Sequence, residues 1–326
     1  MTCNKDSSCA KGFCPSFVGV TGGTLRKKSG ALAGGRDAFV QYVAALPRPS
    51  AHTWDAPYDL LVTGVGGTGV VTVGAVIAMA AHLEGKSASV LDFMGFAQKG
   101  GAVLSFVRLA DAPERLNQVR IDTQQADAIL ACDIVVGATA DALQTVRHGR
   151  TRILANIHQI PVAESLRNPD ADLQVDLLLE KMQFVAGREQ VETFDAQALA
   201  EEFLGDTLAS NILATGYAWQ RGLIPLSLEA LTRAIELNGV AVASNLLAFS
   251  LGRLAAEQPK AVHGLRSAPV HATRDESLEA LIVQACVHLS GYQNAAWAQR
   301  FETRIRALVQ REAALSGGDA GLPMTR

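Results

Sequence analysis

Short apolar runs alternate with helix-period segments through the middle of the chain, and that alternation carries most of the structural information. Asp59-Leu-Leu-Val-Thr63 reads as a buried strand, Gly69 to Leu83 as an Ala- and Val-rich helix, and Ala88-Ser-Val-Leu-Asp92 as a second strand. Val103 to Leu109 then reads as a strand, Asp122 to Ala131 as a helix, Asp133-Ile-Val-Val-Gly137 as a strand, Asp141 to Arg147 as a helix and Arg152 to Asn156 as a strand. Alternating elements assemble into parallel sheets covered on both faces, so the expected fold class is α/β, with a Rossmann-like doubly wound sheet. After about Gln197 the period is helical only. Ala198 to Leu204, Asn211 to Gln220, Ser227 to Leu237 and Val240 to Ala256 form a predicted helical C-terminal extension, punctuated by Pro225 and Asn238-Gly239.

The flanks follow other rules. Thr2 to Val20 is dense in cysteine, Gly22 to Arg36 is a connector without a period, and Asp37 to Leu46 suits one short helix. Pro47, Pro49 and Pro57 hold the chain extended up to Tyr58. Beyond the helices, a break from Pro259 to Arg274 precedes a last helical pair, Ser277 to Leu289 and Ala295 to Ala314, and Gly317 to Arg326 is expected to be a disordered tail. Leu60 to Leu83 contains no Asp, Glu, Lys or Arg and matches the ~20 residues a bilayer span needs. Gly64, Gly66, Gly67 and Gly69 interrupt it and no basic cluster flanks it, so strand, glycine turn and buried helix is the better reading and no membrane is expected as a partner.

Composition narrows the function. The 326 residues are 48% hydrophobic and 19% charged, enough to bury a core and far from the composition of a disordered chain. Lys+Arg 29 against Asp+Glu 32 gives a net charge of -3, which leaves no electrostatic footprint for nucleic acid. The start, Met-Thr-Cys-Asn-Lys-Asp, has no apolar core of a secretory signal, so a cytoplasmic location is expected. Five cysteines do not make a secreted disulfide framework at this length.

Three segments carry candidate chemistry. Cys3-x5-Cys9-x4-Cys14-Pro15 groups soft thiolates that suit an iron-sulfur cluster or zinc, although the spacing departs from the bacterial ferredoxin run and a fourth ligand is needed; the alternative is three free thiols. Gly64-Val-Gly66-Gly67-Thr-Gly69 lies between a strand and a helix, the context of a dinucleotide turn, and Asp92 stands where a carboxylate would hold a ribose hydroxyl. That pair favours NAD, and the alternative is a tight turn without a ligand. In Gln98-Lys99-Gly100-Gly101, Lys99 would meet a phosphate or carboxylate at the carboxyl edge of the sheet, or would be a solvated turn lysine. His82, His148, His158 and His288 show no metal spacing, and Cys132 and Cys286 read as small core residues. The small residues of Asn211 to Gln220 and Asn238 to Asn245 suggest close helix packing, and no Gly-Asp-Gly followed by Asn occurs anywhere in the chain.

Taken together, these segments resemble a known family. Cys3 to Phe17 resembles the end of the ferredoxin-type module in the fused indolepyruvate ferredoxin oxidoreductases. Gly64 to Gly69, Asp92-Phe-Met-Gly-Phe-Ala-Gln-Lys-Gly-Gly101, Ala131 to Val136, Gly216-Tyr-Ala-Trp-Gln-Arg-Gly222 and Ala234 to Val240 resemble the gamma domain of 2-oxoacid:ferredoxin oxidoreductases, and Gly291 to Trp297 resembles the domain that follows it. On this resemblance residues 1–22 end an iron-sulfur module, 23–57 connect, 58–258 are the gamma domain, 275–316 begin a C-terminal helical domain and 317–326 are tail.

The resemblance implies oxidative decarboxylation of indolepyruvate or a related aryl 2-oxoacid to an acyl-CoA, with electrons passed to ferredoxin. It implies Cys3, Cys9 and Cys14 as ligands of a 4Fe-4S cluster whose ligand set is incomplete here, because the family's module has further cysteines upstream. Thiamine diphosphate and Mg²⁺ are expected on thiamine-binding domains or subunits of the same enzyme, CoA as co-substrate, and an oligomer as the working form. The chain then corresponds to an internal section of a larger enzyme, inactive alone. The family's gamma domain is not known as an NAD site, which weighs against the dinucleotide reading. A free-standing NAD(P)-binding oxidoreductase and a non-catalytic assembly subunit are the rival readings.

Overall fold

Every residue of Tyr58–Val65 (β1) is buried, as the near-continuous apolar run requires of a strand covered on both faces. It lies inside a six-stranded sheet with Ser87–Met94 (β2), Ala102–Ala110 (β3), Ala128–Ala131 (β4), Arg152–Asn156 (β5) and Val191–Phe194 (β6), in the order β2-β3-β1-β4-β5-β6. The computed structural model describes residues 22, 32–94, 101–158, 174–265 and 277–315, in two compact units, Met1–Ser267 and Ala268–Arg326. The N-terminal cysteine segment, the tail 317–326 and Lys99 lie outside the described residues.

The sheet is α/β and wound on both faces, but it is mixed. β1, β4, β5 and β6 run parallel, whereas β3 is antiparallel to both β1 and β2 and separates them. The reason is chain length, since only seven residues separate β2 from β3 and a parallel crossover needs about a dozen. Local readings also change, a helix at Pro259–Gly264 inside the expected break among them. Asp122 to Ala131 is not a helix: its apolar end is β4, whose short run has no period to distinguish strand from buried helix. Asp133 to Gly137 is not a strand: the Asp133 carboxylate accepts the Val136 N–H at 2.9 Å and caps a single helical turn, Ile134–Gly137 (α3).

Helices cover both faces. Leu32–Ala44 (α1) precedes the sheet, and Val70–Leu83 (α2) leaves β1 and packs Val73 and Ile77 against Leu60, Val62 and Val107. On the opposite face α3, Ala140–Leu143 (α4) and Val175–Ala186 (α5) place Ile134, Leu143 and Met182 against Leu61, Phe106, Ile129 and Ile153. The helical extension is Ala196–Leu204 (α6), Ser210–Gln220 (α7), Leu228–Asn238 (α8), Val242–Glu257 (α9) and Pro259–Gly264 (α10). The second unit is a helical pair, Leu278–Tyr292 (α11) and Ala295–Leu315 (α12), tied by Arg306 to Glu279 at 2.9 and 3.1 Å.

All residues of α7 are buried, and its small residues meet α9 backbone to backbone. A Cβ on Gly216 would lie 2.0 Å from Phe249 O, and one on Gly252 would lie 1.9 Å from Leu213 O. No side-chain rotation relieves a clash with a carbonyl. Elsewhere the buried Asp59 pairs with Arg108 at 3.1 Å, yet its second oxygen has no hydrogen-bond partner among the described residues. Desolvation outweighs the Arg108 guanidinium and pushes the Asp59 carboxyl up to about 6.

Two outcomes are expected. Gly216→Ala and Gly252→Ala should each lower unfolding free energy by at least ~3 kcal/mol in denaturant titrations, the upper end for overpacking. The Asp59 contribution to stability is full below its unfolded value of 3.8 and is lost as pH rises through about 6, because the folded state holds the proton more tightly. Asp59→Asn should remove that segment of the stability profile, read by unfolding at intervals between pH 4 and 8.

Candidate functional site

The carboxyl ends of the four parallel strands meet along one edge of the sheet. There β1 ends in Gly64 to Gly69, β4 in Cys132-Asp133, β5 in Asn156, and β6 in Asp195. The chain leaves β1 toward α2 on one face and leaves β4 toward α3 on the other, which makes this the point where open α/β sheets place ligands.

The predicted glycines come together in one turn, each for a separate reason. Gly64 is forced by contact, since a Cβ would come within 2.6 Å of Val70 Cγ2 and 3.2 Å of Cys132 Cβ. Gly66 donates its N–H to Gly101 O at 2.7 Å, joining the turn to the start of β3. Gly67 and Gly69 adopt φ +86 and +94, which other residues enter only with strain, and a Cβ on either would meet nothing within 4 Å. Those two positions are the open wall of a cavity of about 320 Å³ closed by Val65, Val70, Val71, Met94 and Val103. The first N–H groups of α2 have no intrahelical acceptor. The turn therefore offers small apolar walls and backbone donors, with no charged side chain among the described residues.

Asp92 is not beside this turn. β3 lies between β1 and β2, so the carboxylate is one strand further away than in a parallel βαβ unit, and the structure does not unite it with the glycines as a ribose site. One of its oxygens is buried without a partner among the described residues. Lys99, Cys3, Cys9 and Cys14 lie outside the described residues. Among the described residues no group of three or more His, Cys, Asp or Glu is placed to hold a metal ion. Cys132 is buried, and burial pushes its thiol up to about 12, which fits the core reading and not a thiolate ligand.

The structure adds residues that the sequence did not single out. Asn211, at the start of α7 and 143 residues from the turn, donates from Nδ2 to Thr68 O at 2.7 Å and Thr68 Oγ1 at 3.2 Å. Thr68 Oγ1 in turn donates to Val65 O at 2.7 Å. Asn156 donates to Cys132 O at 2.9 Å and Gln197 Oε1 at 2.6 Å while accepting the Ala196 N–H, tying the ends of β4 and β5 to α6. His158 Nδ1 stands 3.2 Å from Asp195 Oδ1, a pairing across 37 residues that spacing does not reveal. Asp133 keeps one buried oxygen without a partner among the described residues, and desolvation raises its carboxyl.

Comparison with known proteins places this site in context. The family model described as "Pyruvate ferredoxin/flavodoxin oxidoreductase" matches residues 59–255. The "Indolepyruvate oxidoreductase subunit IorB" of Pyrococcus horikoshii is 28% identical over 210 residues, covering 62% of this chain and 96% of that protein. The "NADH-dependent phenylglyoxylate dehydrogenase subunit gamma" of Aromatoleum evansii is 28% identical over 198 residues, covering 60% of this chain and 92% of that protein. A solved keto/oxoacid ferredoxin oxidoreductase gamma subunit from Geobacter sulfurreducens aligns with a TM-score of 0.42 at 22% identity, over 61% of this chain and 98% of that one.

Asn211→Ala should leave the Thr68 carbonyl without its buried donor and cost about 1–3 kcal/mol. Amide exchange should accelerate at Thr68 and Gly69 while strands β4 and β5 stay protected; unchanged exchange at the turn would contradict the clamp.

Proposed function

The chain belongs to the pyruvate ferredoxin/flavodoxin oxidoreductase family, and from that premise we propose that it is the gamma component of a thiamine-dependent 2-oxoacid:ferredoxin oxidoreductase. The observation that carries this reading is the extent of the match: a subunit of indolepyruvate oxidoreductase and the gamma subunit of NADH-dependent phenylglyoxylate dehydrogenase align over 96% and 92% of their own length. The substrate class we propose is an aryl 2-oxoacid, indolepyruvate above all, with CoA as co-substrate and ferredoxin as electron acceptor. Indolepyruvate and phenylglyoxylate, in the names of those two relatives, support the aryl class; other relatives carry pyruvate in theirs.

Thiamine diphosphate with Mg²⁺ supplies the decarboxylation chemistry in this proposal, and it belongs to other domains or subunits of the enzyme, since this sequence lacks Gly-Asp-Gly followed by Asn. What this chain contributes is a rigid sheet edge. Gly67 and Gly69 keep one wall of the turn free of side chains, Asn211 holds that wall in place, and Val71 and Met94 give the adjoining cavity apolar walls. The described residues do not form a cluster site, so the iron-sulfur proposal rests on Cys3, Cys9 and Cys14 alone, with at least one further ligand from elsewhere. We retain 58–258 as the gamma domain, 1–22 as the end of the iron-sulfur module and 275–316 as the start of a further helical domain.

The test is reconstitution. Purified with thiamine-binding partner subunits of the family, the chain should form a complex that reduces a viologen dye on addition of indolepyruvate and CoA. The chain alone should be inactive and should not bind NAD in a calorimetric titration. Failure to associate with those subunits, or saturable NAD binding by the isolated chain, would sink the proposal. Iron analysis after anaerobic reconstitution should fall on Cys9→Ser; unchanged iron would remove Cys9 as a ligand.

A further inference from the structure

A second cavity, of about 420 Å³, opens at the amino-terminal edge of the sheet. β1 begins at this edge with Tyr58 and carries the chain over eight residues to the glycine turn, roughly 26 Å away at ~3.3 Å per residue. The two cavities are therefore separate. Arg48, His52 and Trp54 line the second one from the proline-rich strap, Glu84 and Lys86 from the turn between α2 and β2, and Ser227 from the start of α8. Trp219, Ile224 and Leu226 give it apolar walls.

The strap is fixed at both ends. Gln220 Nε2 donates to Pro47 O at 2.7 Å, Arg115 Nη1 donates to Trp54 O at 2.7 Å, and Tyr58 Oη donates to Leu223 O at 2.9 Å. Trp54 is further held by the edge of His52, with ring centroids 5.1 Å apart. The cavity is thus built by interactions across the sequence, and its size falls in the ~300–1,000 Å³ range of small-molecule sites.

Its charged groups differ in their partners. Arg48 is bound to Glu229, and Glu84 accepts the Ser227 N–H at the amino end of α8, where the helix dipole favours a carboxylate. Lys86 is half-buried, and its Nζ rests 4.6 Å from the centre of the Trp54 ring. Among the described residues it meets no carboxylate at ion-pair distance. A partly covered ammonium with a ring face beside it and no carboxylate partner is free to take an anion. We propose that this cavity binds a small organic carboxylate with an apolar body, the carboxylate on Lys86 and the body against Trp54, Ile224 and Leu226.

Benzoate, benzyl alcohol and inorganic phosphate titrated into the full chain test this, followed by tryptophan emission and by calorimetry. Benzoate should bind saturably. Benzyl alcohol lacks the charge and phosphate lacks the apolar body, so each should bind at least about tenfold more weakly, the scale of one charge-assisted hydrogen bond. Lys86→Met should weaken benzoate by about tenfold or more while Lys86→Arg restores it, and Trp54→Phe should diminish the emission response. Circular dichroism and melting temperature establish that each variant is folded. The proposal is overturned by no saturable binding of benzoate, by equal binding of phosphate or benzyl alcohol, or by folded Lys86→Met retaining wild-type affinity.

Discussion

The position of the glycine turn depends on two helices that touch through their backbones. Gly216 of α7 lies against the Phe249 carbonyl of α9, and Gly252 of α9 lies against the Leu213 carbonyl of α7. Only glycine permits that approach. Because α7 is drawn so far inward, its whole length is buried, and Asn211 at its first turn comes within reach of Thr68. The turn is held from the side by a helix rather than by the loop it belongs to. A buried amide spent on a loop carbonyl and hydroxyl is a specific tether, since each partner would be left unsatisfied without the other.

The two edges of the sheet differ in chemistry for a reason that lies in the topology. At the carboxyl edge, helix starts and strand ends supply backbone groups, and two of the described carboxylates there have local tasks: Asp133 caps α3, while Asp195 caps α6 and meets His158. The amino edge receives the long proline-rich strap and the turn before β2, both of which carry side chains with charge, so its cavity is polar where the glycine cavity is apolar. One surface suits docking of a neighbouring chain or a group approached by backbone, the other a small charged molecule. Membership of a family of multi-subunit oxidoreductases is consistent with the first of these.

The sheet itself departs from the simplest nucleotide-binding arrangement at one place, the insertion of β3 between β1 and β2. This single change weakens the dinucleotide reading. A glycine-rich turn after a strand is a local feature and survives any sheet order, whereas the acidic partner of a ribose depends on which strand is the neighbour. Glycine-rich sequence and Asp92 were both present, and the antiparallel pairing of β3 between β1 and β2 moved them apart.

The sequence alone determined whatever depends on neighbours along the chain. Apolar run length and period located β1, α2, β5 and the helices from α6 to α9 within a few residues, and the glycine spacing located the turn, because burial periodicity and φ freedom are local constraints. It also carried enough combined motif content to identify the family. It misassigned Asp122 to Gly137, where a four-residue apolar run has no readable period and one capping carboxylate decides between strand and helix. Tertiary structure alone decided the pairing of β3, the clamp from Asn211 to Thr68, the His158–Asp195 contact and the unmatched Lys86, because each joins residues whose separation along the chain leaves no pattern to read.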